Sequence, residues 1–514
     1  MNLFVFILCL LPQGADRPGG EIPKEVPSRA DDGRADSLRQ GSLDALQKKV
    51  DALEAELQEL KKHPPSQDKE KPAPGQAEAP KPAGQQEEDE KRKKLEEEFR
   101  KALGPPENKP APPQNAPFTP SAPPSGSAFK LIDLAFDILA VGGTSSASEA
   151  EMRDLEAGGH DPKNRGFTMQ NVELTFAGVV DPYLRGDANI VLQIDQNGDT
   201  TIELEEAYLT TLEFPYNLQL KAGQYFSQFG RLNATHPHTW DFVDQPVINS
   251  RLLGEDGFRG PGGQLSWLTP LPFFAELTGS VQNAQGGTAK SFRDVPGDVI
   301  DGRTIVGRPV RSLGDIAYVI RLKTSFDPTD ELTIVPGVSA LFGPNASALD
   351  TRTGIYGMDF YAKWKPLAND QGWPFVAWQT ETMRRTYQAG AVFDTTGVLL
   401  AGRKTLEDWG AYSQVVWGFA RPWTMGLRFD YANGQRDSYA AGVGVPAYDS
   451  VDDPFRDRRE RGTIDLTYYP SEFSKVRIQY NYDHSPFLSN VSGDAHSVYV
   501  QFEILFGAHG AHKF

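Results

Sequence analysis

The chain has 514 residues and a formal net charge of −17, which argues against nucleic acid as a partner because phosphate binding needs a basic surface. Its mean hydropathy is −0.46, and no apolar run reaches the roughly 18 residues of a transmembrane helix. A β-barrel is not excluded, because a barrel strand needs only about 9–11 residues, of which half are apolar. Proline is concentrated before Phe129 and the aromatic residues are concentrated after it, so the chain consists of two regions of different composition.

The N-terminus predicts a secretory signal over residues 1–15. Leu3 to Leu11 is an apolar run that Pro12, Gly14 and Ala15 follow, which matches an apolar core and a small-residue cleavage site. A misassigned start codon or a short buried helix are the alternatives. The single cysteine, Cys9, lies inside this run. A processed chain would therefore carry neither a disulfide nor a thiolate metal site.

Residues 16–37 are predicted to be disordered, and residues 38–62 to form a coiled coil. Apolar residues recur at spacings of three and four, as in a heptad seam of about three repeats. The seam residues are Leu43, Leu46, Val50, Leu53, Leu57 and Leu60. Such a helix cannot bury its seam alone, so it predicts a partner helix, most simply the same helix of another subunit. A solitary amphipathic helix that packs elsewhere is the alternative.

Residues 63–128 form a linker rich in proline and charge, because this composition cannot bury enough apolar surface to fold. A short charged helix is predicted within it near residues 87–103. No candidate for chemistry lies in this part of the chain.

From residue 129 to 514 the apolar period changes to two, which predicts β-strands. In one segment Val476, Ile478 and Tyr480 alternate with Arg477 and Gln479. We count about sixteen such segments, an even number that is typical of single-chain outer-membrane barrels. They begin near residues 130, 166, 185, 201, 217, 260, 272, 314, 330, 352, 373, 405, 421, 460, 474 and 494.

The connections between these segments alternate between tight and mostly long. Tight turns are marked by proline, as in Asp181-Pro182-Tyr183 and Asp327-Pro328-Thr329-Asp330, whereas Ser227–Arg259 is long and polar. Tight and long connections are expected to alternate in this way when all tight turns lie on one side of a membrane and the long loops lie on the other. The sequence therefore predicts an all-β transmembrane barrel of about sixteen antiparallel strands in the outer membrane of a Gram-negative-type bacterium. The even count places the N-terminal spacer in the periplasm.

Aromatic residues fall near the predicted strand ends, as expected of the girdles at the two membrane interfaces. They are Tyr183, Tyr216, Trp267, Trp364, Trp373, Trp378, Trp409, Trp423, Tyr468 and Tyr469.

Several segments resemble a group of porin-like bacterial outer-membrane proteins. They are GHDPKNRGFTMQNVELTFAGVVDPYLRG, EEAYLTT, LKAGQYFSQFGRLNATHPHTWDFVDQP, LLGEDGFRGPGG and the final HSVYVQFEILFGAHGAHKF. The overall plan is similar to the phosphate-selective porins, which implies a trimeric channel. The group is often labelled as zinc-regulated TonB-dependent receptors, yet such transporters are plugged barrels of about 22 strands. The terminal Phe514 resembles the signal by which barrel assembly machinery recognises its substrates.

Charges on the polar face of the predicted strands are candidates to line the lumen. These residues are Glu203, Glu205, Arg321, Lys323, Arg428, Asp430, Arg477 and Glu503. The resemblance to general porins implies that the third long loop, Ser227–Arg259, folds inward as the constriction. Its candidate residues are Arg231, His236, His238, Asp241, Asp244, Arg251, Asp256 and Arg259. The alternative is that these charges pair with one another and fix the loop against the wall.

Histidine clustering in the same loop offers a metal-site hypothesis. His236, His238 and Asp241, joined by His160, are ligand types that suit zinc. Loop hydrogen bonding is the more ordinary interpretation, since His-Pro-His is not a recognised ligand spacing. No cofactor is therefore required by the sequence.

The predicted function is passive diffusion of small hydrophilic or ionic solutes through a barrel that contacts outer-membrane lipid. A zinc-related receptor and a structural tether of the cell envelope are the alternatives. No Ser-centred glycine elbow, P-loop or HExxH motif is present, so we expect no enzyme.

Overall fold

The computed structural model describes residues 132–194, 198–435, 439–440, 447–448, 453–490 and 492–507. The predicted signal, coiled coil, linker and helix within residues 1–128, and the terminal Phe514, lie outside the described residues. Within that described part, no helix is both long and apolar enough to cross a membrane.

Sixteen antiparallel strands form one closed barrel. The first strand pairs with the last from Ala135↔Gly507 to Ser145↔Ser497, which closes the sheet. The strands are β1 (Asp133–Ser145), β2 (Gly166–Val179), β3 (Leu184–Ile194), β4 (Thr200–Thr211), β5 (Leu218–Phe226), β6 (Arg259–Leu268), β7 (Phe274–Gln282), β8 (Ala317–Thr329), β9 (Leu332–Pro344), β10 (Arg352–Trp364), β11 (Phe375–Ala389), β12 (Lys404–Ala420), β13 (Trp423–Gln435), β14 (Arg459–Ser471), β15 (Ser474–His484) and β16 (Asp494–Gly507). Each predicted start lies within three residues of the observed one.

The period of two separates an apolar exterior from a polar interior. On β15, Ile478 is 53% exposed, whereas Arg477 on the opposite face is 1% exposed. The same contrast holds around the barrel, so charged side chains are buried inside and large apolar ones are exposed outside. This is the reverse of a soluble protein, and it is stable because the exposed apolar band contacts lipid.

One predicted turn and two predicted girdle residues are wrong. β8 continues through Asp327-Pro328 to Thr329, and the turn is Asp330-Glu331. Pairing with β9 is irregular between Phe326 and Thr329, so the missing N–H of Pro328 breaks no regular ladder bond. The two girdle residues are Trp373 and Tyr469: Trp373, just before β11, is 3% exposed and forms a buried cluster with Phe375, against which the half-buried Tyr469 packs.

Long connections fold back into the barrel and supply its apolar core. They include two short helices, α1 (Glu149–Leu155) and α2 (Val247–Leu253). α1 begins with a capping box between Ser148 and Glu151. Ile248 and Leu252 of α2 are fully buried in a cluster with inward side chains of the strands. The interior is therefore occupied by loops at the end where the long connections lie.

Candidate pore interior and the inward loop

The connection between β5 and β6, residues 227–258, lies inside the barrel. Its backbone amides donate hydrogen bonds to inward side chains of widely separated strands. Gly230 N donates to Ser339 Oγ of β9 over 3.1 Å, and Val243 N donates to Gln479 Oε1 of β15 over 2.8 Å. We call this segment the inward loop. Because it contacts opposite parts of the wall, it crosses the lumen.

Asp244 anchors the inward loop to the wall on one side. Its carboxylate is 1% exposed and accepts hydrogen bonds from Arg428 Nη2 at 2.9 Å and Asn481 Nδ2 at 2.8 Å, and also from Arg461. Burial disfavours the charged carboxylate, but Arg428 and Arg461 outweigh it and hold the pKa of Asp244 below its ordinary value. The anchor is therefore a charge-assisted network rather than a surface ion pair.

Glu381 on β11 anchors the loop where it leaves β5. Its carboxylate accepts hydrogen bonds from the backbone amides of Arg231, at 3.1 Å, and Leu232, at 2.9 Å. Gly230 has φ of 61°, and a Cβ there would lie 2.2 Å from Glu381 Oε2. Glycine is required at this position for both its conformation and its close approach.

His236 joins the loop to the opposite wall through a cluster of carboxylates. Its Nε2 lies 3.0 Å from Glu206 Oε2, and its Nδ1 lies 2.9 Å from Glu205 Oε2 and 3.3 Å from Glu173 Oε2. Burial lowers the pKa of His236, but the negative charges of Glu173 and Glu205 have the larger effect. The pKa of His236 is therefore raised well above its ordinary value.

Two β-bulges bring these polar groups to the inner face. Pairing between β3 and β4 runs from Asn189↔Glu206 to Ile190↔Leu204, which leaves Glu205 as an extra residue. A bulge breaks the alternation of faces, so Glu205 and Glu206 are both buried inside. In the pairing of β1 with β2, Asn171 and Met169 have partners and Gln170 between them is the extra residue of a second bulge.

The two other histidines flank this cluster. His238 Nδ1 lies 3.3 Å from Glu173 Oε2, and its ring stacks on His236 at a centroid distance of 5.7 Å. His160 Nε2 lies 3.8 Å from Glu205 Oε1. Asp241, in contrast, accepts a hydrogen bond from Gln414 of β12 over 2.9 Å and does not belong to the cluster. Among the described residues, the group with metal-holding geometry is Glu173, Glu205 and His236.

The inward loop separates two cavities in the barrel interior. The larger has a volume of about 690 Å³ and is lined by Arg231, Asp241 and Lys363, among others. The smaller has a volume of about 550 Å³ and is lined by Glu173, Glu206 and further residues. Thr235, His238 and Thr239 line both cavities, so this stretch of the loop forms the partition.

The candidate constriction residues differ in their surroundings, and some of them both line a cavity and contact a charged neighbour. Arg231, His236, His238, Asp241 and Asp244 line the cavities. Four of the candidates contact neighbouring groups. Besides the contacts of Asp244 described above, Arg251 donates hydrogen bonds to the carbonyl oxygens of Arg456 and Asp457. Asp256 lies 3.9 Å from the imidazole of His160, and Arg259 contacts the carboxylates of Glu203 and Glu205. Contact with neighbouring groups, as in the alternative interpretation, is therefore observed for part of this set, and the role of the set in a constriction stays a prediction.

All eight candidate lumen residues lie on the inner face of the wall, and each contacts an opposite charge. The pairs are Arg321–Asp359, Lys323–Glu276, Arg428–Asp430, Arg477–Asp465, Lys475–Glu503, Arg259–Glu203 and His236–Glu205. Each of these charges is therefore close to a charge of opposite sign.

Sequence reasoning missed Glu173, Glu206 and Glu381. Glu381 shares the buried face of β11 with Gln379 and Met383, so strand parity alone would have placed it inside. Glu206 could not be placed in this way, because the bulge shifts it out of phase with the strand.

A curated protein of Aquifex aeolicus (strain VF5), described as uncharacterised, is 30% identical over 406 residues, which cover 74% of this chain and 79% of its own length. No family model matches the chain. Among solved structures, the outer-membrane channel DcaP of Acinetobacter baumannii has a TM-score of 0.46 at 11% identity, covering 73% of this chain and 97% of its own. An anion-selective porin from Comamonas acidovorans has a TM-score of 0.44 at 7% identity, covering 73% and 99%. These structural similarities are too low to transfer an activity.

Proposed function

We propose that this chain, which belongs to the same family as the uncharacterised Aquifex aeolicus protein, is an outer-membrane channel for passive diffusion of small hydrophilic or ionic solutes. The inward loop is its constriction. The observation that carries the proposal is the partition: residues 235–239 of the loop lie between two polar cavities inside a closed barrel with an apolar exterior. Single-channel recording of the refolded chain in planar bilayers tests it, and the absence of stepwise currents would overturn it.

The solvent-facing charges of the larger cavity are expected to set ion preference. Asp241 is exposed there, and Lys363 lines the same cavity with its ammonium 4.8 Å from the Phe375 ring centroid. Fixed charges at a narrow point select ions of opposite sign. A unit charge about 4 Å from a passing ion contributes up to about 1 kcal/mol in water, or about fivefold in permeability ratio.

We therefore expect Asp241→Asn to shift the reversal potential in a salt gradient towards anion preference. Lys363→Gln is expected to shift it towards cations. Asp187→Asn serves as a matched control, because this wall carboxylate already pairs with Arg185 at 3.0 Å. Shifts of the same sign in both cavity variants would contradict the assignment.

We also propose that the N-terminal spacer lies in the periplasm. We further propose that the chain forms a homo-oligomer, with a trimer favoured by the resemblance to phosphate-selective porins. The seam predicted over residues 38–62 supports self-association. Leu53→Asp together with Leu57→Asp is expected to lower the native mass in detergent towards that of a monomer. Gln58→Asp, outside the seam, is the control. An unchanged mass would assign the association to the barrels alone. Recognition by the barrel assembly machinery through the C-terminal segment that includes Phe514 is a further part of this proposal.

A further inference from the structure

We propose that Glu173, Glu205 and His236 form a binding site for one divalent metal ion of the zinc class, at the joint between the inward loop and the barrel wall. Two ligands come from the wall, Glu173 from β2 and Glu205 from β4, and one comes from the loop. The site would therefore hold the loop in place as well as the metal. The inference does not depend on conduction through the barrel.

The donor atoms have the spacing of a metal site. His236 Nδ1 lies 2.9 Å from Glu205 Oε2 and 3.3 Å from Glu173 Oε2, and the three ligand atoms lie within 4.8 Å of one another. Tetrahedral zinc with nitrogen and oxygen ligands at about 2.0–2.2 Å separates its ligand atoms by about 3.3–3.6 Å. Both distances from His236 Nδ1 lie within a few tenths of an ångström of this range.

The same atoms are not satisfied by hydrogen bonds. His236 Nδ1 and Glu205 Oε2 are both buried, and despite their short separation neither makes a hydrogen bond of acceptable geometry. A metal ion that replaces the proton of His236 would give both atoms a partner. Buried polar atoms of this kind otherwise cost free energy.

Asp137 gives an independent indication. It is 1% exposed, lies directly opposite Glu173 in the pairing of β1 and β2, and neither of its oxygens has a hydrogen-bond partner. Its Oδ2 lies 3.8 Å from His238 Nδ1. A buried carboxylate beside Glu173, Glu205 and Glu206 adds negative charge where a divalent cation would offset it.

A second contact orients the histidine ligand. With Nδ1 directed at the proposed ion, His236 Nε2 lies 3.0 Å from Glu206 Oε2. A carboxylate on the far nitrogen is the usual arrangement for a metal-bound histidine, because it fixes the tautomer and raises the basicity of the ligating atom. The bulge at Glu205 produces this arrangement, since it turns both Glu205 and Glu206 inward. Nitrogen and carboxylate ligands without sulfur suit zinc and related borderline ions.

The test uses the full chain refolded in detergent, with His509→Ala and His512→Ala in every variant so that terminal histidines do not bind metal. After treatment with a chelator, uptake of zinc from ZnCl2 is measured by equilibrium dialysis. We expect one ion per chain in this background and loss of that ion in Glu173→Gln, Glu205→Gln and His236→Gln. Asp187→Asn, on the same wall, should retain it. Heat-modifiable mobility on gels shows that each variant is folded.

Glu206→Gln separates a metal site from a plain ion pair. It leaves the three ligands intact and is expected to weaken zinc binding by about 10–100-fold. X-ray absorption at the zinc edge should show nitrogen and oxygen ligands at about 2.0–2.2 Å and no sulfur. Equal zinc uptake in the background protein and in the Glu173→Gln and Glu205→Gln variants would overturn the site. So would no uptake at all, which would identify the cluster as a histidine–carboxylate ion pair. Conductance recorded without zinc is unaffected by either result.

Discussion

Asp244→Asn is expected to detach the inward loop from the barrel wall. The substitution keeps the shape of the side chain but removes the charge that Arg428 and Arg461 share. Removing one partner of a buried ion pair costs about 3–5 kcal/mol. We expect the lower end, because Arg428 keeps Asp430 and Arg461 keeps Asp483. About 3 kcal/mol changes the ratio of attached to detached loop by about two orders of magnitude.

Two measurements report this detachment. Limited proteolysis in detergent should cleave the Asp244→Asn variant within residues 227–258 faster than the unmodified chain, and its currents should be larger or noisier. Asp241→Asn is the matched control, since it makes the same chemical change three residues away at a carboxylate exposed to the cavity. Equal protection of both variants would show that Asp244 is not the anchor.

Replacing residues 234–241 with glycine and serine at the same length is expected to increase unit conductance. The replaced stretch contains the partition between the cavities of about 690 and 550 Å³. The anchors at Glu381 and Asp244 contact residues outside the stretch, so the loop ends stay in place. Without the side chains of His238, Thr239 and Trp240, the two cavities become continuous and the narrowest section widens.

A replacement of equal kind in another loop controls for general loosening. Residues 395–400, in the hairpin that connects β11 to β12, are exposed and serve this purpose. Their replacement by glycine and serine should leave unit conductance unchanged. If the variant of residues 234–241 conducts like the unmodified protein, the inward loop is not the constriction.

The barrel could be predicted from local pattern because a strand has only two faces. Successive residues of a strand point to opposite faces, so Ile478 faces outward while Arg477 is buried in the barrel interior. The same rule holds for every strand whose alternation is unbroken. Pro328 misled the prediction of one turn, because a proline is tolerated at an irregular strand end as well as in a turn.

The anchors and the histidine cluster could not be predicted in this way. Asp244 meets Arg461 across 217 residues of sequence, and nothing local distinguishes it from Asp241, which faces a cavity. Glu206 reaches His236 only because the extra residue Glu205 shifts the phase of β4. A one-residue irregularity leaves no mark on composition or period.

The sequence by itself determined the number of strands, the alternation of tight and mostly long connections, and which face of each strand is polar. These follow from periodicity and turn chemistry, which are local properties of the chain. Only the tertiary structure decided which charges of the inward loop are locked into the wall and which face the cavities. That outcome depends on closing the barrel, since closure brings β4, β13 and β15 around one loop and fixes which buried charge each loop residue meets.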